Sequence, residues 1–268
     1  MRAILVIGGG FVLVAGLQLY VLSEHTDYWF AWTIEPALTA AFLGAFYLDA
    51  CVLALFSARE RAWDRARVGV QGVLAFIWLT LLATLIHLDK FHLDDGRLIP
   101  TAAAWIWLTI YVLEPPVLSV VYPLQLRSPG GDGPGGGEIP RWFRVGSAAI
   151  GALLVIVGAI LFVAPSSAGD LWAWTLTPLT ARAAAAWLVG QGLVLVTIAR
   201  DGDWLRARWA FLSIIGLVVL QGVALARYPG TFELGGAPGM AFVAVLAILL
   251  AGSCYGWLAA RRASSPSR

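Results

Sequence analysis

Apolar residues along this chain gather into runs of about 20, the length that crosses a bilayer as a helix. Short segments rich in arginine, aspartate, glycine and proline divide them. The runs fall at 3–22, 37–57, 68–88, 100–125, 146–164, 179–199, 209–226 and 238–260. Such runs favour helices over open strands, because a bilayer interior offers no water to satisfy a bare backbone. The pattern predicts an all-α, polytopic membrane protein of about eight transmembrane helices.

The pattern also recurs. Trp32-Thr33-Ile34-Glu35-Pro36, followed by Leu38-Thr39-Ala40, is answered 142 residues later by Trp174-Thr175-Leu176-Thr177-Pro178 and Leu179-Thr180-Ala181. The polar stretch Arg59-Glu60-Arg61-Ala62-Trp63-Asp64-Arg65-Ala66-Arg67 is answered by Arg200-Asp201-Gly202-Asp203-Trp204-Leu205-Arg206-Ala207-Arg208. A fixed offset over such lengths is the mark of a duplicated block. It predicts two tandem four-helix repeats, 1–127 and 144–262, joined by a flexible Gly/Pro-rich cytoplasmic linker at 128–143. Arg2 and the apolar run after it resemble the start of a signal peptide, but Arg144 begins a matching run, and a signal peptide has no reason to recur mid-chain.

Composition agrees with this reading. The chain has 268 residues, 60% hydrophobic and 13% charged, with a mean hydropathy of +0.80. Soluble domains carry about 25% charged residues. The net charge of +2 and the scattering of arginines in short loops exclude a nucleic-acid surface. Seventeen arginines against one lysine, Lys90, point to a GC-rich bacterial genome. Fourteen basic residues fall at one end of the predicted spans (Arg2, then the clusters around 59–67, 127–144, 200–208 and 261–268). Four, Lys90, Arg97, Arg182 and Arg227, fall at the other. The positive-inside rule then places both termini in the cytoplasm, in a bacterial inner membrane. Four spans per repeat is an even number, so the repeats run parallel.

Two acids interrupt the apolar runs. Asp49 lies ten residues before Arg59, hence about 15 Å deep at 1.5 Å per residue. It shares a helix face with Ala37, Ala41 and Ala45, small residues that let helices approach, so it is expected to point into the bundle. Glu114 is near the middle of the fourth run and is followed by Pro115 and Pro116, which cannot donate backbone hydrogen bonds and are expected to break the helix. The carbonyls of Tyr111 and Val112 thereby lose their donors. A carboxyl beside freed carbonyls offers a proton or cation site, and intramembrane acids are functional candidates by default. The second repeat lacks both acids: Gly190 stands at the Asp49 position and Tyr255 at the Glu114 position.

The remaining candidates lie at the outer end. Arg182 is placed to pair with Glu35 at an outer mouth, or to snorkel to headgroups. Trp32 and Trp174 are expected at the water–lipid boundary, with Thr33 or Thr175 capping the helix that follows. His25, His87 and His92 have aspartates nearby and are candidate ligands for a divalent metal at the outer face, although no helix-face spacing joins them. Haem ligation and a retinal Schiff base find no suitably buried pair or lysine. The arginine-rich inner loops suit lipid phosphates as well as topology. Cys51 and Cys254 fit no redox or zinc spacing and read as small core residues. There is no Walker loop, dinucleotide fingerprint or hydrolase motif, so no other cofactor is expected.

Three functions stay open on sequence alone. The first is a proton- or cation-coupled transporter of a small solute using Asp49 and Glu114. The second is a non-catalytic accessory or assembly subunit of a larger membrane complex. The third is an intramembrane lipid-modifying enzyme, which needs both acids in one cavity.

Overall fold

The computed structural model describes residues 2–127, 133, 135–167 and 171–264. Among these the long elements are all helical: α1 (Arg2–Val21), α2 (Ala37–Ala58), α3 (Val70–Ile86), α4 (Leu98–Leu126), α5 (Arg141–Val163), α6 (Pro178–Asp201), α7 (Trp204–Arg227) and α8 (Ala237–Ala263). Seven of them are long and apolar enough to cross a membrane, as a polytopic membrane protein requires. The exception, α3, has 17 residues, about 26 Å at 1.5 Å per residue and short of a full bilayer core.

The helices form an inner and an outer set. α1 packs along α2, α5 along α6, α3 against α4 and α7 against α8. The pairs then interlock, α2 against α7 and α3 against α6. Helices α2 and α6 are accordingly buried over 72% of their apolar windows, whereas α1, α4, α5 and α8 are buried over only 17–28%. Small residues make this possible. A Cβ added to Gly151 of α5 would meet the Gly192 carbonyl at 2.7 Å, and one added to Gly192 would meet the Gly151 carbonyl at 2.6 Å. Gly72 and Gly190 oppose each other in the same way where α3 crosses α6. Close backbone approach is how helices gain dispersion contacts in lipid, where apolar burial adds little.

At the arginine-rich end, ion pairs cross between the first and second halves of the chain. Arg208 binds Glu60, Arg67 lies 3.6 Å from Asp201, and Arg206 lies 3.1 Å from Asp64. Glu60 and Arg67 stand 141 positions before Asp201 and Arg208, so the first two contacts are one arrangement made in each direction. At the opposite end the His92 amide donates to the Ala31 carbonyl at 2.9 Å, and the Glu233 amide donates to the Ala173 carbonyl at 3.0 Å. The two amides stand 141 positions apart and the two carbonyls 142.

Three local expectations are corrected. Trp32 and Trp174 are 3% and 4% exposed, so they are core residues rather than boundary anchors. Trp32 packs on Phe30, Phe91 and Trp107, and the Trp174 indole N–H donates to Thr39 Oγ1 at 2.9 Å. Neither Thr33 nor Thr175 caps a helix. Thr177 caps α6 through a reciprocal bond with Thr180, and α2 begins after Pro36 with no side-chain cap. The helix starts after the proline-containing turn, which moves the cap two residues on. The 128–143 linker is also less free than expected. Residues 128–132 and 134 lie outside the described residues, but the Gly136 amide donates to Asp203 Oδ2 at 2.7 Å, the Ile139 amide to the Gly202 carbonyl at 2.8 Å, and α5 starts at Arg141. Asp203 also caps α7 through the Leu205 and Arg206 amides.

Candidate functional site in the first half of the chain

A cavity of about 110 Å³ lies among α1, α2, α3 and α4, with Trp187 of α6 closing one side. The α4 wall is built from Trp107, Tyr111, Glu114 and Leu118, a spacing of four, three and four that keeps all four side chains on one helix face. Helix α2 adds Tyr47, Ala50, Ala54 and Ser57. Helix α1 adds Gly8 and Gly9, and α3 adds Val73 and Phe76. Four of these side chains bring oxygen to an otherwise apolar and aromatic lining.

Among the described residues, Glu114 is the only charged group in that lining. Its carboxyl faces the α1 backbone at Gly8, where an added Cβ would come within 3.5 Å of Oε1. The side chain is half-buried, and no hydrogen bond or ion pair from another described residue reaches it. The Ser57 hydroxyl is buried at the same cavity and also has no partner among the described residues. Tyr47 and Tyr111 hydroxyls bond to each other at 2.8 Å. One of two mutually bonded hydroxyls keeps an unused O–H.

Helix α4 runs through Pro115 and Pro116 as one helix from Leu98 to Leu126, so the expected break at this pair is absent. Proline deletes single bonds of the ladder, and the turn is tied from its side. The Ser119 hydroxyl donates to the Pro115 carbonyl at 2.7 Å and accepts from the Trp78 indole at 3.0 Å. The Tyr111 and Val112 carbonyls still face prolines without N–H groups. The Tyr111 side chain is buried at the cavity, and that of Val112 is exposed on another face.

Asp49 does not join this site. It is 4% exposed, as its alanine face leads one to expect, but it does not line the cavity. Its carboxyl interacts with Ser213 of α7, and its Oδ1 has no hydrogen-bond partner among the described residues. It belongs to the α2–α7 contact between the two halves. The two acids therefore do not share a cavity. A second cavity of about 160 Å³ between α5, α6, α7 and α8 includes Phe42, Trp172, Gln191, Gln221 and Phe242 and, among the described residues, no charged one.

The outer-mouth pair also separates. Glu35 is exposed and Arg182 turns elsewhere, donating to His87 Nε2 at 2.7 Å and to the Phe162 carbonyl at 3.1 Å. Burial first, and then the Arg182 guanidinium, hold the His87 imidazole below its usual range. His92 contacts the Phe30 carbonyl and Thr33 Oγ1, each at 3.1 Å, while His25 is exposed. The three histidines thus have separate surroundings, and among the described residues no group of three His, Cys, Asp or Glu side chains gathers as a metal site. Nearby, Arg97 clamps Asp95 at 2.6 Å and keeps that carboxyl below the usual carboxylate range.

Of the residues singled out in the sequence, Glu114 and Tyr111 line this cavity; Tyr47, Ser57, Trp107 and Trp187, which also line it, were not singled out. The stripe Trp107, Tyr111, Glu114 was legible at helical spacing. Trp187 was not, because it arrives from the other half of the chain. Compared with known proteins, the chain matches no family model, and no curated protein or solved structure shows significant similarity to it.

Proposed function

We propose that this chain is a multi-pass protein of a bacterial cytoplasmic membrane that carries a small solute, coupled to a proton or cation at Glu114. One observation carries the reading: a carboxyl faces an apolar cavity with no hydrogen bond or ion pair from another described residue. A carboxyl that served only to join helices would be engaged by a neighbouring donor, as Glu60 is by Arg208 and Trp209. An acid kept in an apolar interior without that use is costly, by about 2.5–3.5 kcal/mol for Asp on insertion scales. Exchange of a proton for a cation at this carboxyl is the coupling step. Asp49, outside the cavity, is assigned to the contact between the halves.

The same reading takes the chain as two tandem parallel four-helix units with both termini on the cytoplasmic side. The 142-residue offset, the reciprocal Glu60–Arg208 and Asp201–Arg67 contacts and the paired outer-end loop bonds support the duplication. The excess of arginine at one end supports the orientation.

The test is solute-driven proton movement in proteoliposomes carrying an internal pH dye. Wild type is expected to respond to its solute. Glu114→Gln is expected to abolish the response, and Asp49→Asn to keep most of it, at a thermal stability within about 1 kcal/mol of wild type. A full response from Glu114→Gln removes the mechanism. Stable co-purification with a second membrane protein, with no solute response at all, selects the accessory-subunit reading instead.

A further inference from the structure

We infer that the ligand of the cavity among α1, α2, α3 and α4 is a small organic monocation, an ammonium bearing apolar substituents. This rests on the carrier reading of the same cavity and names its substrate class. Six aromatic side chains, Phe11, Tyr47, Phe76, Trp107, Tyr111 and Trp187, line the space that Glu114 faces. Trp187 stacks on Phe76 with centroids 3.7 Å apart and meets Tyr47 edge-on at 4.8 Å, while Trp107 and Tyr111 lie 4.4 Å apart. Aromatic faces attract cations, most strongly where water is excluded. A single carboxyl at the edge of such a wall supplies the opposite charge.

Other ligand classes fit worse. A hard inorganic cation needs about six oxygen ligands, as magnesium does. The side chains here offer the Glu114 carboxyl, the Ser57 hydroxyl and two tyrosine hydroxyls already joined to each other. An anion meets Glu114 with like charge, and no basic residue among those described lines the cavity to offset it. A neutral apolar molecule leaves the carboxyl, protonated or ionised, without a polar partner in an apolar space, at a desolvation cost that a cation offsets. An alkylammonium meets all three features, since its substituents fill the apolar volume, its charge faces Glu114, and it leaves few hydrogen bonds to satisfy. The unpartnered Ser57 hydroxyl suits a polar substituent or a bound water.

The probe is benzyltrimethylammonium, with its neutral isostere 2,2-dimethylpropylbenzene and the anion phenylacetate as competitors. Equilibrium binding of the radiolabelled cation is measured on the full chain in nanodiscs, with empty discs as the blank. We expect saturable binding that Glu114→Gln weakens by about tenfold or more, that Glu114→Asp largely retains, and that the neutral isostere displaces at least about tenfold less well than unlabelled cation. Phenylacetate is expected not to compete. Absence of saturable binding, equal affinity in Glu114→Gln and wild type, or equal displacement by the neutral isostere would overturn the assignment. Flux measurements separate it from the carrier reading. Saturable binding without proton-coupled uptake keeps the ligand class and rejects transport. Uptake of a different solute that depends on Glu114, without binding of this cation, keeps transport and rejects the class.

Discussion

The acids and histidines of this chain differ less in kind than in what surrounds them. Glu60 and Asp64 face arginines across the two halves, Asp49 meets a serine, and Glu114 faces a mostly apolar and aromatic cavity with no basic group among the described residues in its lining. The same contrast separates the histidines. His92 is held by a carbonyl and a hydroxyl, whereas His87 accepts from Arg182 and so must be neutral at that nitrogen. Because its folded value is depressed, protonation favours the unfolded chain. The contribution of His87 is therefore fully present above the usual imidazole value of 6.5 and is lost as pH falls through the lower folded value. Thermal unfolding in detergent from pH 8 down to 5 checks this. We expect the melting temperature of wild type to drop more steeply with acid than that of His87→Gln, which keeps an acceptor for Arg182 but does not titrate. Equal slopes would remove His87 from the acid response.

At the scale of elements, helix crossings are set by residues without side chains. Gly192 faces the Gly151 carbonyl, while Gly10 on α1 has nothing within 4 Å of an added Cβ. Gly192→Val is expected to lower stability by about 2–3 kcal/mol, because the α5–α6 backbones must part. Gly10→Ala is expected to be neutral or to stabilise by about 0.5–1 kcal/mol through helix propensity. Circular dichroism of the two variants on heating reads the difference. Most helices were legible in the sequence, because spans need apolar length and little else. Their ends were less so. The expected cap at Thr175 fell on Thr177, and the predicted start of the fifth span at residue 146 fell at Arg141, where arginine sits on the helix beyond the apolar run. The Pro115–Pro116 break failed for a related reason. Sequence rules count the lost backbone bonds, but the Trp78–Ser119–Pro115 chain that ties the turn is a tertiary contact.

At the scale of the whole molecule, the halves interlock rather than stand side by side. The first half meets the second through α2–α7 and α3–α6, through Gln221 donating to the Phe42 carbonyl at 3.1 Å, and through the crossed ion pairs. The offset of repeated motifs could not disclose this, since it fixes which residues correspond and not which ones touch. It also hid Trp187 as a wall of the first cavity. Interlocking has a consequence for a chain cut between residues 132 and 133. Co-expressed halves are expected to purify together through a tag on either one, and the Arg67→Glu, Arg208→Glu double variant is expected to reduce their recovery. Stable, separately purified halves would contradict this packing.

The working role assigned to Glu114 is tested most directly by dicyclohexylcarbodiimide, a lipid-soluble reagent that adds to carboxyl groups in apolar surroundings. Reconstituted protein is treated for increasing times, modified residues are mapped by mass spectrometry, and solute-driven proton movement is followed in the same samples. We expect an adduct on Glu114 rather than on the close-packed Asp49, with activity falling in proportion to that adduct. Loss of activity with Glu114 unmodified, or full activity with Glu114 fully modified, would contradict it.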